Sequence, residues 1–168
     1  IVPTASTSTQ LALGDSLAIA SMKYKKFGKL DFKKLHPAGS LGAQLKTVED
    51  IMIKGNKIPF VSENLKTSKA LNILTEKKLG ILVVRDKKNR TKGIITDGQI
   101  RRVSQKNSNF QNLLVKEIMT KKPIFIDKNI LAAKALALMN NKKITSLLVY
   151  NKKKPFLTIG VIHVHTIL

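Results

Sequence analysis

The apolar positions of this chain change their spacing along its length in a way that predicts alternating helices and strands. Apolar residues three and four positions apart predict amphipathic helices over about 67–77 and 131–141. Continuous apolar runs, which are typical of strands buried on both faces, follow at 81–84 and 147–150. A polar turn and a second strand come next in each case, with a helix starting near Asp97 in the first. The pattern predicts two β-α-β-β-α units, each of which needs the other to cover its sheet.

The two units are copies of one another. The pair Ile51-Met52 recurs 67 positions later as Ile118-Met119, and a Gly-apolar-apolar strand at 93–95 recurs at the same distance as 160–162. A short extended segment follows each Ile-Met pair before the helix begins. We therefore expect two domains of the same fold. The predicted domains are 47–106 and 114–168.

The first 46 residues do not belong to the repeat. The segment 3–9 is rich in hydroxyl side chains and predicts a loop that ends at a helix start, with the helix running to about Lys26. Pro37 and Gly39 predict a second loop around His36. Forty-six residues are too few to form a stable domain. We expect them to be the tail of a domain whose body lies upstream.

The repeated units resemble a tandem pair of CBS (cystathionine β-synthase-type) domains, through the Ile-Met openings and the run from Gly93 to Arg102. The resemblance implies an α/β fold of α+β repeats with a nucleotide in the cleft between them. In that family a Thr or Ser after the strand binds phosphate, and an Asp three residues later binds ribose. The resemblance assigns ligand binding here to Thr96, Asp97, Gln99, Ser146, His163 and Thr166.

This chain departs from the family pattern at both ribose positions. Gln99 and Thr166 stand where the Asp is expected, and His163 stands where the second Thr or Ser is expected. The ribose-binding carboxylate is therefore absent from both units. Thr96 has an alternative role that needs no ligand, because a Thr before a helix also caps it.

The whole chain resembles bacterial arabinose 5-phosphate isomerases. The resemblance rests on the order of its motifs: Pro3-Thr4-x-Ser6-Thr7, Gly14-Asp15, His36-Pro37-x-Gly39, and then the CBS pair. It implies that residues 1–46 are the C-terminal tail of a sugar isomerase (SIS) α/β domain. It also implies interconversion of D-ribulose 5-phosphate and D-arabinose 5-phosphate, which feeds Kdo and lipopolysaccharide synthesis.

The same resemblance assigns roles within the first 46 residues. His36 matches the family histidine thought to act in proton transfer, and Thr4, Ser6 and Thr7 would lie beside the substrate. An imidazole suits that step because it titrates near neutral pH. The alternatives are a His36 that caps a helix or fills a joint, and hydroxyls that cap a helix. The family's phosphate loop and other catalytic residues lie upstream, so we expect this chain alone to be inactive.

Charge and composition narrow the range of possible functions and partners. The chain carries 31 basic and 10 acidic residues, for a net charge of +21, but 27 of the basic residues are lysines. They are scattered in pairs at predicted turns, which indicates a solvated surface more than a nucleic-acid interface, where arginine reads bases. The absence of cysteine excludes disulfides and cysteine nucleophiles. With no apolar run of membrane-spanning length, we expect a cytoplasmic protein without a membrane partner.

The expected ligands and partners follow from the two resemblances. They are a sugar phosphate substrate, no catalytic cofactor, and a nucleotide or nucleotide-sugar effector in the CBS cleft. Family members are typically tetramers, so we expect a homo-oligomer, with a CBS-mediated dimer as the smaller form. We expect no metal, because His163 and His165 alternate on a strand and should face opposite sides. Two other functions remain open: a stand-alone nucleotide-sensing CBS protein and a basic nucleic-acid-associated protein.

Overall fold

The computed structural model describes residues 2–35, 45–154 and 156–167. The chain divides into two compact units, Ile1–Leu45 and Lys46–Leu168. None of the helices in the described ranges has both the length and the apolar character that crossing a bilayer requires.

The first unit consists of two helices, α1 (Thr4–Tyr24) and α2 (Lys29–Leu35). Every residue of α1 is exposed, including its large hydrophobic side chains, which are Leu11, Leu13, Leu17, Ile19, Met22 and Tyr24. The prediction of a loop over 3–9 was wrong, because α1 begins at Thr4. The hydroxyls of Ser6 and Thr7 donate to the Pro3 carbonyl at 3.0 and 2.8 Å, and such bonds to the preceding turn let Ser and Thr remain helical.

The second unit contains the two repeats. Its helices are α3 (Val48–Ile51), α4 (Thr67–Lys77), α5 (Asp97–Lys106), α6 (Val115–Ile118) and α7 (Ala132–Lys142). Its strands are β1 (Ile53–Lys54), β2 (Phe60–Ser62), β3 (Ile81–Arg85), β4 (Thr91–Thr96), β5 (Thr120–Lys121), β6 (Phe125–Asp127), β7 (Ser146–Tyr150) and β8 (Gly160–His163). The helices predicted at 67–77 and 131–141 are α4 and α7.

The strands form two four-stranded sheets that exchange their edges. One sheet has the order β2-β3-β4-β5 and the other β1-β8-β7-β6. In each sheet the helical crossover joins a parallel pair, β2 with β3 and β6 with β7. The short strand β1 of the first repeat pairs with β8 of the second, and β5 of the second pairs with β4 of the first. Each repeat therefore completes the other's sheet.

Alternation along the central strands explains why they are apolar on both faces. In β3, Ile81 and Val83 pack between the two sheets, against Leu148 and Val161. Leu82 and Val84 point the other way and pack beneath α4, α5 and α6, in a cluster that includes Ala70 and Leu74. A strand with both faces buried must read as a continuous apolar run, as 81–84 does.

The two repeated sequence motifs meet in space. A Cβ built on Gly93 would lie 2.6 Å from the Thr120 carbonyl oxygen and 2.9 Å from the Met119 sulfur. A Cβ on Gly160 would collide with the Met52 sulfur and lie 3.2 Å from the Ile53 carbonyl oxygen. The methionine of each Ile-Met pair thus packs on the glycine of the opposite repeat. The absence of a side chain at both glycines is what lets the exchanged strands approach.

Candidate functional site

A cleft of about 740 Å³ lies between the two repeats. It is formed by the end of β4 and the start of α5 in the first repeat, and by the segments after β5 and α7 in the second. Its lining residues are Gly80, Ile81, Ile94, Thr96, Asp97, Gly98, Arg101, Arg102, Thr120, Lys122, Pro123, Ile124, Lys143, Ile144, Thr145, Ser146, Leu148 and His163.

Four of the six residues predicted to bind a ligand meet in this cleft: Thr96, Asp97, Ser146 and His163. The strand register brings them there, because Ile81 pairs with Thr96 in one sheet and Ser146 pairs with His163 in the other. Thr96 is also the N-cap of α5, where its hydroxyl oxygen accepts a hydrogen bond from the Gln99 amide at 3.3 Å. Thr96 therefore caps the helix, as the alternative role predicted, and it also lines the cleft.

The side chains of Gln99 and Thr166 are engaged within the protein and do not belong to the described lining of the cleft. The Gln99 side-chain amide donates to the Ile118 carbonyl at 3.0 Å, and its oxygen accepts from the Arg102 guanidinium at 2.8 Å. The Thr166 hydroxyl donates to the His163 carbonyl at 2.6 Å. Gln99 therefore ties α5 to the end of α6 and orients Arg102.

The prediction that His163 and His165 face opposite sides was wrong. Their ring centroids are 5.0 Å apart, and the His165 backbone amide donates to His163 Nδ1 at 3.3 Å. The strand ends at His163 and a 3-10 turn begins, so strand alternation does not continue to His165. Burial, followed by the charge of His165, lowers the pKa of His163. Among the described residues, no cluster of three or more His, Cys, Asp or Glu could hold a metal.

Positive charge dominates the cleft. Four of its described lining residues are cations, contributed as Arg101 and Arg102 by α5 and as Lys122 and Lys143 by the second repeat, against the single carboxylate of Asp97. A site of this charge favours an anion. Sequence reasoning placed the lysine pairs on solvated turns and did not assign Lys122 or Lys143 to the site. Their positions in the repeat, after a short exchanged strand and after a helix, are the signal that could have found them.

The remaining predicted site residues belong to the N-terminal segment. His36 lies outside the described residues. Thr4, Ser6 and Thr7 lie in the first two turns of α1 and are exposed.

A family model for the CBS domain matches residues 48–106 and 115–168, which together make up more than half of the chain. The chain belongs to the CBS domain family.

The fold agrees with solved CBS pairs. The structure of CBSX2 in complex with AMP matches with a TM-score of 0.62 and 22% identity, over 72% of this chain and 92% of that one. The CBS pair of protein MJ0100, in complex with 5′-methylthioadenosine and S-adenosyl-L-methionine, matches with a TM-score of 0.63 and 20% identity, over 73% and 92%. These matches confirm the predicted α/β fold of tandem repeats.

A curated relative extends the similarity to the first 46 residues. The chain is 40% identical over 169 aligned positions to the arabinose 5-phosphate isomerase KdsD of Yersinia pestis, covering 100% of this chain and 51% of that protein. The chain spans about half the length of the curated relatives it matches. The similarity to arabinose 5-phosphate isomerases that the order of motifs predicts is confirmed.

Proposed function

We propose that this chain is the C-terminal part of a cytoplasmic arabinose 5-phosphate isomerase, with the CBS pair as its regulatory or assembly module. The observation that carries the proposal is the 40% identity over the whole chain, since it includes the residues that precede the CBS match. Residues 1–46 are then the tail of the SIS domain, and 47–106 and 114–168 are the two CBS domains. The product, D-arabinose 5-phosphate, feeds Kdo and lipopolysaccharide synthesis.

The reaction assigns distinct tasks to the residues of the N-terminal segment. Interconverting an aldose and a ketose moves a proton between C1 and C2 through an enediol, so it needs a base, an acid near the carbonyl oxygen and a group that holds the phosphate. His36 serves as the acid–base group. Ser6 and Thr7 already donate their hydroxyl protons to the Pro3 carbonyl, which leaves them as acceptors. As the resemblance implies, they and Thr4 would lie beside the substrate and would not form its phosphate clamp.

The CBS cleft serves as the effector site. Its four cations and the hydroxyls of Thr96 and Ser146 suit a phosphate group, and the apolar lining suits a base or a sugar face. The ligand class is a nucleotide or a nucleotide sugar. The CBS pair also supports assembly, as a dimer of CBS modules within a tetrameric enzyme.

The isomerase proposal is tested by following conversion of D-ribulose 5-phosphate in the full-length protein. Replacing His36 by Ala should lower kcat by about 10²- to 10⁴-fold, as expected for a lost acid–base group. His165→Ala is the matched control and should leave the rate unchanged, because His165 is exposed and does not belong to the described lining of the cleft. An unchanged rate in the His36 variant would assign His36 a structural role. Turnover by the 168-residue chain alone would contradict the proposal that it lacks essential groups.

The alternative is a stand-alone nucleotide-sensing CBS protein, which the cationic cleft favours on its own. Thermal unfolding of the chain with and without a ligand distinguishes a cleft that binds an effector from one that serves assembly alone. A ligand at a hundred times its Kd adds about 2.7 kcal/mol to the free energy of unfolding. The isomerase and the stand-alone sensor are separated by the upstream coding sequence, where a phosphate-binding loop would identify the isomerase.

A further inference from the structure

We propose that the two β-hairpin tips of the CBS pair form one docking face for the surface of an anionic lipid bilayer, to which the protein binds peripherally. This hairpin face consists of Lys87, Lys88, Lys152, Lys153, Lys154 and Phe156. It lies away from the cleft, and the proposal does not depend on the proposed isomerase activity.

The two tips are built in the same way. The loop between β3 and β4 starts at Asp86, whose side-chain oxygen accepts a hydrogen bond from the Lys88 amide at 2.9 Å. The loop between β7 and β8 starts at Asn151, whose side-chain oxygen accepts one from the Lys153 amide at 3.1 Å. Such side-chain bonds to the backbone two residues on turn the chain sharply. Each loop therefore presents adjacent, exposed lysines at its tip.

Hydrogen bonds between the hairpins join the two tips into one surface. The Thr91 amide donates to the Phe156 carbonyl at 3.0 Å, and the hydroxyl oxygens of Thr91 and Thr158 are 2.7 Å apart. The Thr158 amide also donates to the Thr91 hydroxyl at 3.3 Å. Thr91 and Thr158 occupy equivalent positions in the two repeats, so the contact joins the same part of each copy. Lysine runs that are separate in the sequence thus belong to one face.

The charge of the hairpin face has little compensation within the protein. All five of its lysines are exposed, and no carboxylate in the described ranges forms an ion pair with them. Asp86 is engaged instead by Arg90, at 2.9 Å, and lies 3.9 Å from the Lys92 ammonium group. A cluster of four to eight basic residues attracts anionic lipid headgroups. The face therefore has the charge that an anionic bilayer surface complements.

Phe156 gives the face an apolar group. Its side chain is 71% exposed, two residues after Lys154, while its backbone is held by the bond from Thr91. Lysines around an exposed aromatic ring are typical of segments that lie in a membrane interface, where the ring enters the headgroup region. Nucleic-acid strands are instead bound by several stacking rings and by arginine. Phe156 is the one aromatic residue of the two loops, which favours the lipid surface.

Docking through the hairpin face leaves the cleft accessible. Thr91 begins β4 and Thr96 ends it, so six extended residues hold the two ends about 17 Å apart. Thr96 lines the cleft, whereas Thr91 lies beside the hairpin face. The expectation of no membrane partner rested on the lack of a spanning segment, which a peripheral contact does not need.

The first test is sedimentation of the chain with vesicles of phosphatidylglycerol and phosphatidylethanolamine in low-salt buffer. We expect binding that about 1 M NaCl reverses, because salt screens exposed charges, and weaker binding to phosphatidylcholine vesicles. K87Q/K88Q and K152Q/K153Q should each weaken binding by about 30-fold, at about fivefold per lysine. K69Q/K134Q removes the same charge from exposed positions on α4 and α7 and is the matched control. It should leave the affinity nearly unchanged, and all three variants should keep the parent Tm.

The second test uses Phe156 as a reporter. The chain contains no tryptophan, so Phe156→Trp places a single fluorescent ring on the hairpin face. We expect its emission to move to shorter wavelength on anionic vesicles, because the ring leaves water for the headgroup region. An unshifted emission from vesicle-bound protein would place the ring outside the lipid and overturn the proposal.

The remaining outcomes also decide the matter. Vesicle binding that survives in both hairpin variants, or that falls equally in K69Q/K134Q, would show that net charge alone explains it and would overturn the docking face. Lysine-dependent binding to single-stranded DNA that is tighter than binding to vesicles would assign the face to a nucleic acid and overturn the lipid surface. Absence of binding to anionic vesicles would do the same.

Discussion

The first and second repeats place the same residues where they interlock and different residues where they line the cleft. Met52 and Met119 pack on Gly160 and Gly93, and Thr91 bonds its own counterpart Thr158, with their hydroxyl oxygens 2.7 Å apart. At the cleft the equivalent positions differ: Thr96 and His163 both line it, and Lys122 lines it where the first repeat has Gly55, which does not belong to its described lining. Interlocking constrains both copies through the same contacts, whereas a single asymmetric ligand needs different groups from each. The difference between the repeats therefore gives the cleft different groups on its two sides, which suits the asymmetric ligand proposed for it.

The largest effect is expected where the repeats interlock. Gly93→Ala would place a methyl group 2.6 Å from the Thr120 carbonyl oxygen, and this backbone atom can move only if β5 shifts. We expect the free energy of unfolding to fall by about 2–3 kcal/mol, as in overpacked cores. Gly160→Ala should cost less, about 1 kcal/mol, because its closest neighbour is the flexible Met52 side chain.

Urea unfolding of both variants measures this difference. Gly98→Ala is the control, since an added Cβ there meets only the Arg102 guanidinium at 3.6 Å, and α5 should gain about 0.5 kcal/mol. Equal losses at Gly93 and Gly160 would show that the sulfur contact matters as much as the backbone contact.

A smaller effect is expected at Gln99 and Thr166, the two positions where the resemblance predicts a ribose-binding Asp. Gln99→Glu keeps the shape of the side chain but cannot donate to the Ile118 carbonyl, so we expect a loss of about 1 kcal/mol. Thr166→Val removes bonds that are local and exposed to water, and should cost about 0.5 kcal/mol. Thermal unfolding at one pH compares the two. A larger loss at Thr166 would contradict the proposed bridging role of Gln99.

The sequence predicted the regular parts of this fold because their periodicity is local. The runs at 81–84 and 147–150 are apolar on both faces. In the helix at 67–77, apolar residues three and four positions apart mark the buried face. The exchanged strands β1 and β5 have two residues each, too few to show a period, so the exchange of edges was not predicted. The helical start at Thr4 was missed because Ser and Thr bond the preceding turn as readily as they cap a helix. Lys122 was missed because its exposure to the cleft depends on how the two repeats pack.

The smallest effect is expected for the pH dependence of stability that His163 contributes and that its counterpart Thr96 does not. Burial and then the nearby His165 lower the pKa of His163, so the unfolded chain takes up a proton at a higher pH than the folded chain does. Stability from this residue is therefore present above the ordinary histidine pKa and is lost as pH falls below it. His163→Thr makes the repeats alike at this position and should reduce the fall in Tm between pH 7.5 and 5.5 by about 2 °C. Melting curves of the variant and the parent at both pH values measure this. A fall of the same size in both would show that His163 does not titrate differently in the folded chain, and that the pH response comes from other groups.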